Sequence, residues 1–124
     1  MIICKLHLPL KDNKGTELTE VHAELKTEII KMFNGCTVVT GQGVWMDNGK
    51  VYDEPVAIYE IATWGAKYRI SEFVKIAHKF AVMSNQLAVY YTVDNRAFID
   101  DITVMKNNLK TYNIIARSSA SRPC

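Results

Sequence analysis

Two hydrophobic spacings follow one another along this chain, and each predicts a different element. In IICKLHLPL (residues 2–10) apolar and polar side chains alternate, which predicts a first strand that ends near Pro9. In TELTEVHAELKTEIIKMFNG (residues 16–35) the apolar residues recur at helical spacing, which predicts an amphipathic helix. Thr16 is the expected cap of this helix, and Asn34-Gly35 is its expected end.

The next two apolar runs predict a hairpin. CTVVTGQGVWM (residues 36–46) is rich in β-branched residues and predicts a second strand that frays or bulges at Gly41 and Gly43. Asp47-Asn48-Gly49 is a typical turn sequence, and VAIYEIAT (residues 56–63) predicts the third strand.

The second half of the chain predicts a further helix and two strands. The helix is expected to begin at Ser71, whose hydroxyl is the expected cap. QLAVYYTV (residues 86–93) predicts a fourth strand, Asp94-Asn95 a turn and AFI (residues 97–99) a short return strand. The predicted buried stripe of the helix consists of Phe73, Val74, Ala77, Phe80 and Ala81.

The order β-α-β-β-α-β predicts an α+β fold, the ferredoxin-like sandwich in which an antiparallel sheet carries two helices on one face. We expect residues 1–105 to form this single domain. Residues 106–124 are expected to be a C-terminal extension, a short helix or loop followed by a frayed tail. The other face of the sheet carries apolar and aromatic side chains, so we expect a homo-oligomer that packs through it.

Charge and composition remove several classes of function. The chain has 124 residues and a formal net charge of +2 with scattered basic residues, so we expect no nucleic-acid partner. No apolar run approaches the roughly 20 residues that cross a bilayer. The first residues also lack the features of a signal peptide. We therefore expect a soluble cytoplasmic protein with no membrane partner.

Cysteine and histidine usage gives no sign of a metal site. There is no Cys-x-x-Cys, and the histidines lie far apart in the sequence. We therefore expect neither a metal nor a cofactor. The residues concerned are Cys4, Cys36, Cys124, His7, His22 and His78.

Residues 41–45 carry the first candidate ligand contacts. Gly41-Gln42-Gly43 is a fragment of a glycine-rich loop, but it lies in a predicted strand and lacks the following helix of a phosphate cradle. A bulge or a close backbone approach to a ligand is the better interpretation. Trp45 is either a core residue or a platform for a flat heterocycle or a cation.

Two glutamates stand out among the acids. Pro55 restricts Glu54 to extended backbone and so fixes the direction of its carboxylate, although a solubilising loop acid is the alternative. Glu60 lies in an apolar strand, where an ionised side chain must be paired, hydrated or functional. A pair with Lys5 or Lys67 is as consistent with this position as a ligand contact.

The sequence offers no nucleophile with an adjacent base, because the serines cap or end helices or lie in the tail. Tyr90 and Tyr91 point to opposite faces of the fourth strand, so one of them is expected to line the open face. An acidic and aromatic site without a metal suits a cationic, heterocycle-bearing ligand. The ligand's own groups can react once it is held in the right conformation.

Short motifs within residues 36–99 resemble the small phage-encoded S-adenosylmethionine lyases, formerly called hydrolases. A strand ends in GVW, the glycine-bearing turn DNG follows, and YDE enters the next strand. LAVYYTVDNRAFI also resembles the closing strand, turn and return strand of that family.

The resemblance implies a ferredoxin-like homotrimer with active sites between its subunits. That family splits S-adenosylmethionine into 5'-methylthioadenosine and homoserine lactone by attack of the substrate's own carboxylate on its γ-carbon. The enzyme therefore orients the ligand and shields the sulfonium. The family's glutamate falls on Glu54, and its tyrosine falls on Trp45, which has no hydroxyl and for which Tyr52 is the candidate substitute.

With the resemblance, the candidate catalytic residues are Glu54 and Tyr52. The candidate substrate-binding residues are Gln42, Gly43, Trp45, Glu60 and Tyr90.

Two functions of different class remain open. As an enzyme, the protein would cleave S-adenosylmethionine or a close derivative in the cytoplasm of a phage-infected host and so starve methylation-dependent restriction. As a binding module, it would be an oligomeric ferredoxin-like protein that sequesters a nucleotide-like ligand or blocks a host protein. Loss of activity on Glu54→Gln with folding intact would favour the enzyme.

Overall fold

The computed structural model describes residues 1–102, and the predicted order of helices and strands is confirmed in them. The elements are β1 (Ile2–Pro9), α1 (Thr19–Phe33), β2 (Thr37–Asp47), β3 (Lys50–Thr63), α2 (Lys67–Met83), β4 (Ala88–Val93) and β5 (Arg96–Asp101). The extension predicted for residues 106–124 lies outside the described residues. The domain limit at residue 105 stays a prediction.

The five strands form one antiparallel sheet in the order β2-β3-β1-β4-β5. Alternation along β1 and β3 turns one set of side chains toward α1 and α2, so both helices cover the same face. The ferredoxin-like prediction is thereby confirmed. The opposite face, called the open face below, is covered by neither helix. The largest fully buried side chains are Tyr59, Phe73, Phe80, Leu6, Leu8 and Leu25.

The turn between β2 and β3 has the predicted position and makes the hairpin longer than the sequence suggested. Asn48 and Gly49 have φ values of 50° and 78°, as a two-residue primed turn requires. Asp47 therefore pairs directly with Lys50, and β3 begins there rather than at Val56.

Pro55 lies inside β3 without interrupting it. Its carbonyl oxygen accepts a hydrogen bond from the Leu10 amide at 3.1 Å, on the β1 side. The nitrogen that lacks a proton points to the same side, so the pairing with β2 loses no hydrogen bond. Because β1 ends where Pro9 meets Val56, residues 42–55 continue beyond it as a two-stranded ribbon, which we call the arm.

Neither of the two predicted N-terminal helix caps is correct. α1 begins after Thr16, because the Asp12 carboxylate accepts the Thr16 amide at 2.9 Å and holds that residue in the preceding loop. α2 begins at Lys67, so Ser71 lies in its second turn and caps nothing. The predicted end of α1 is confirmed, since Asn34 adopts the left-handed conformation at φ 69°.

The predicted fraying or bulging at Gly41 and Gly43 is also wrong. Gly41 pairs with Val56 and Gly43 with Glu54 in continuous register. The glycines instead leave room on the open face. A Cβ at Gly43 would lie 3.2 Å from Val56 Cγ1, and one at Gly41 would lie 3.5 Å from Ile58 Cδ1.

A buried chain of hydrogen bonds joins α1 to the sheet. His22 Nε2 lies 2.7 Å from the Pro9 carbonyl oxygen, and Nδ1 lies 2.5 Å from the Tyr59 hydroxyl. A carbonyl only accepts, so Nε2 carries the proton and Nδ1 accepts from Tyr59. This arrangement needs a neutral imidazole. Burial favours it by lowering the pKa of His22, and burial also raises the pKa of Tyr59 to about 12.

A second polar cluster fixes the edge strand β5 on the helix-covered face. Asp100 Oδ2 accepts the Tyr91 hydroxyl at 2.5 Å and lies 2.8 Å from His78 Nε2, on α2. Burial alone raises the pKa of Asp100, but the two hydrogen bonds outweigh it and hold that pKa below its ordinary value. Burial, together with Asp100, raises the pKa of Tyr91.

Candidate functional site

The open face carries a concave groove of about 500 Å³ at the point where the arm leaves the sheet. Its floor comes from β1 and β3, one wall from the arm, and the other wall from β4 and β5. The volume lies within the roughly 300–1,000 Å³ that small-molecule sites occupy. The groove is lined by His7, Pro9, Gly41, Gln42, Gly43, Val44, Trp45, Glu54, Val56, Ile58, Gln86, Ala88, Tyr90 and Ile99.

The arm brings an aromatic platform and a carboxylate together. Trp45 and Tyr52 are paired across the arm, and their rings stack at 4.4 Å and 15°. Lys50 Nζ lies 4.9 Å from the centroid of Tyr52. The Trp45 Nε1–H donates to Glu54 Oε1 at 3.4 Å, which is long for a hydrogen bond. The Trp45 side chain is half-buried and lies outside the helix-side core, and its use as a platform for a ligand stays a prediction.

The opposite wall is built around His7 and Tyr90. Their rings meet edge-on with centroids 4.5 Å apart, and they lie on neighbouring strands. Burial, with a smaller contribution from Lys5, lowers the pKa of His7, so the imidazole is neutral at pH 7. The prediction for the two tyrosines is confirmed, because Tyr90 lines the open face while Tyr91 is buried on the other.

Five of the sequence-derived candidates line this groove, namely Gln42, Gly43, Trp45, Glu54 and Tyr90. The Gln42 side chain itself turns to the other side of the arm, where it donates to Asp53 Oδ1 at 2.5 Å. Tyr52 contacts Trp45 and does not line the groove.

Glu60 shares the open face but lies outside the groove. Lys5 Nζ lies 3.6 Å from Glu60 Oε1, which is the ion pair that the sequence left open. Both side chains are more than two-fifths exposed, at 45% and 41%. Such a pair contributes less than about 1 kcal/mol to stability. Glu60 therefore contacts Lys5 rather than the groove lining.

Sequence reasoning missed His7, Gln86 and Ile99. Alternation along β1 places His7 on the open face, but it does not say which strands lie beside β1. His7 reaches the groove because β1 lies between β3 and β4, which puts Ile58 and Tyr90 on either side of it. No local signal in the sequence marks these three residues.

Neither a metal-binding cluster nor a membrane-spanning helix occurs in the described residues. Residues 1–102 contain no group of three or more His, Cys, Asp or Glu side chains placed to hold a metal ion. In the same part of the chain, no helix is long and apolar enough to cross a membrane.

No protein-family model matches the sequence, and no curated protein matches it. Two solved structures share its fold. One is a phage SAM lyase in complex with S-methyl-5'-thioadenosine, with a TM-score of 0.65 and 14% identity over 81% of this chain and 88% of that one. The other is a phage SAM lyase in its apo state, with a TM-score of 0.64 and 12% identity over the same shares of the two chains. At these identities the likeness supports the resemblance at the level of the fold.

Proposed function

We propose that this chain binds S-adenosylmethionine or a close derivative in the open-face groove and cleaves it to 5'-methylthioadenosine and homoserine lactone. The observation that carries the proposal is the contact between Trp45 and Glu54 at the edge of an apolar groove. An aromatic face beside a carboxylate suits a cation that also carries a heterocycle. The shared fold supports it, because one structure of that fold holds S-methyl-5'-thioadenosine, a product of the proposed reaction.

The proposed reaction needs no acid, base or nucleophile from the protein. A carboxylate oxygen of the substrate bonds to its own γ-carbon, the carbon–sulfur bond breaks, and the electron pair goes to sulfur. No proton moves. The negative carboxylate and the positive sulfonium neutralise each other in this step, so an apolar groove disfavours the separated charges more than the transition state. The groove also accelerates the reaction by holding the aminobutyrate chain of the substrate folded back, with its carboxylate close to the γ-carbon.

Each arm residue has a defined part in this proposal. Trp45 lies against the sulfonium or the heterocycle, and Tyr52 keeps the Trp45 ring in place through the stack. Glu54 accepts from the substrate ammonium, which stays charged throughout, and thereby aims the attacking carboxylate. Gly43 leaves space for the ligand, because a side chain there would enter the groove.

We also infer that a neighbouring subunit completes the site in a homotrimer. The groove is open on the side away from the sheet, and exposed apolar side chains surround it on the open face. Val39 on β2 and Ile99 on β5 are 53% and 72% exposed. Apolar surface of this kind on a sheet face is typical of an interface between subunits. Light scattering at the concentrations used for the activity assay measures the subunit number.

A second candidate is binding without cleavage. The family's tyrosine falls on Trp45, which has no hydroxyl, and the Tyr52 ring is engaged in the stack with Trp45. A protein of this kind would sequester a nucleotide-like ligand and leave it intact.

The test is to incubate purified protein with S-adenosylmethionine and follow the products by liquid chromatography with mass detection. We expect equal amounts of methylthioadenosine and homoserine lactone. Glu54→Gln is expected to lower turnover about 10- to 100-fold, the effect of losing one charge-assisted contact, with an unchanged far-UV spectrum. Asp53→Asn is the matched control. It removes a carboxylate from the adjacent position on the other side of the arm and keeps an acceptor for Gln42.

Wild-type protein that leaves S-adenosylmethionine intact would exclude it as the substrate and would leave only a close derivative for the lyase. Equilibrium dialysis with S-adenosylmethionine and with methylthioadenosine then separates the second candidate from no binding at all. Equal losses of turnover in Glu54→Gln and Asp53→Asn would show that turnover depends on the charge of the arm and not on a contact between Glu54 and the ligand.

A further inference from the structure

His7 is the one histidine on the open face of residues 1–102, and its ring nitrogens have no hydrogen-bond partner there. Its contacts within residues 1–102 are the edge-on packing against Tyr90 and the electrostatic effect of Lys5. Among the described residues, no buried side-chain nitrogen or oxygen lacks a hydrogen-bond partner. The ring nitrogens of His7 make no hydrogen bond within residues 1–102, so they are accessible from the groove or from solvent.

A neutral imidazole in this place offers one donor and one acceptor. Burial and Lys5 both lower the pKa of His7, which favours the neutral form at pH 7. That pair of groups matches the edge of a purine, which also presents N–H donors and ring-nitrogen acceptors. A sulfonium has no N–H to donate and uses neither group, and an ammonium, which only donates, uses one of the two.

The spacing along the groove separates two chemically different ends. His7 pairs with Ile58, and Glu54 lies four residues before Ile58 on the same strand. At about 3.3 Å per residue this is about 13 Å along β3. A nucleoside sulfonium is of comparable length from its base to its ammonium, even when the aminobutyrate chain is folded back for the proposed reaction. The carboxylate end and the imidazole end can therefore contact opposite ends of one ligand.

We infer that His7 binds the uncharged base end of a nucleoside ligand in the groove, and that protonation of His7 weakens the binding of a cationic ligand there. This rests on the proposed function, in which the groove takes a nucleoside sulfonium. Above the pKa of His7 the imidazole is neutral. Below that pKa it carries a positive charge in the groove that already holds the ligand's positive charge. The affinity for a cationic ligand therefore decreases as the pH is lowered.

Other ionisable groups on the open face must be separated from His7 in the test. Lys5 and Glu60 pair with each other at 3.6 Å. The groups concerned, from all the strands around His7, are Lys5 on β1, Lys50, Tyr52, Glu54 and Glu60 on β3, Tyr90 on β4 and Asp101 on β5.

The experiment measures the dissociation constants of two probes between about pH 7.5 and about pH 4.5, a range that extends well below the ordinary histidine pKa because the pKa of His7 is lowered. The first probe is methylthioadenosine, which is uncharged. The second is decarboxylated S-adenosylmethionine, which keeps the sulfonium but lacks the carboxylate that attacks the γ-carbon, so the protein cannot consume it by the proposed reaction. We expect the cation to bind about fivefold more weakly at the lower pH, the effect of a like charge in a partly screened site. Methylthioadenosine should change less.

Three variants assign the effect. His7→Gln keeps a donor and an acceptor but does not titrate, so it should remove the pH dependence of cation binding. His7→Phe keeps a ring against Tyr90 without any polar group and should weaken both probes about tenfold at pH 7.5. His78→Gln is the matched control, since it removes an imidazole on the helix-covered face and should keep the wild-type pH dependence.

The outcomes separate this inference from the proposed function. A His7→Gln variant with wild-type affinity and wild-type pH dependence would overturn the inference while leaving the groove as the binding site. Wild-type protein that binds neither probe at pH 7.5 would overturn both. If His7→Phe does not fold, the pH profile of His7→Gln alone decides.

Discussion

Replacing Tyr59 with Phe tests the buried pair that links α1 to the sheet. The substitution removes one oxygen from a fully buried ring and leaves no cavity of consequence. His22 Nδ1 then loses its donor, while Nε2 still donates to Pro9. A buried acceptor without a partner costs about 1–3 kcal/mol, so Tyr59→Phe should lower the free energy of unfolding by that amount.

Urea unfolding followed by circular dichroism measures this loss as a shift of the midpoint at constant slope. Tyr68→Phe is the control, because the Tyr68 side chain is exposed at the start of α2 and its loss should cost less than about 0.5 kcal/mol. A loss for Tyr59→Phe as small as that of the control would refute the argument, since the hydroxyl would then contribute nothing beyond its ring.

The same pair makes stability depend on pH. Burial lowers the pKa of His22 in the folded protein, whereas the unfolded chain has a value near 6.5. Between these two values the unfolded state binds more protons than the folded state. The stability contributed by neutral His22 is therefore complete above about pH 6.5 and is lost as the pH falls from there toward the folded pKa.

Two more substitutions test other parts of the structure. Gly43→Ala places a Cβ 3.2 Å from Val56 Cγ1 and fills the groove, so it should weaken methylthioadenosine binding measured by calorimetry, whereas Gly35→Ala, with no atom within 4 Å of its Cβ, should not. Asp100→Asn should lower the free energy of unfolding by about 1 kcal/mol at pH 7. This loss is small for hydrogen bonds to a charged group because the cluster is partly exposed. Since the folded pKa of Asp100 is lowered, that contribution is present above the unfolded value and is lost as the pH falls through the folded one, so thermal melts of wild type and Asp100→Asn should converge in acid.

The elements were predictable because their signals are local. Alternation and helical spacing are properties of short windows, and they gave the strands, both helices and the turn at Asn48-Gly49. The predicted N-terminal caps were wrong because the residue at which a helix begins also depends on the preceding loop. Asp12 holds Thr16 away from α1, and the extended Ala66 starts α2 ahead of Ser71. Neither arrangement follows from a residue type at one position.

The candidate site also contains residues that the sequence identified and residues that it missed. Gly43, Trp45 and Glu54 were found because the arm that carries them is one hairpin, continuous in sequence. His7 and Ile99 were missed because they reach the groove only through the order of the strands and their register. A single sequence shows which face of a strand is apolar, but not which strand lies beside it.

The two walls of the groove differ in how firmly the protein holds them. His7 and Tyr90 lie on strands in the middle of a five-stranded sheet, whose other face is packed against helices. Trp45 and Glu54 lie on a two-stranded ribbon, and such ribbons are marginally stable on their own. The other side of the arm also exposes apolar residues, Val44, Met46 and Val51. A neighbouring subunit packed against the arm would bury them and fix the Trp45 wall, so the proposed assembly and the proposed ligand site support each other through the arm.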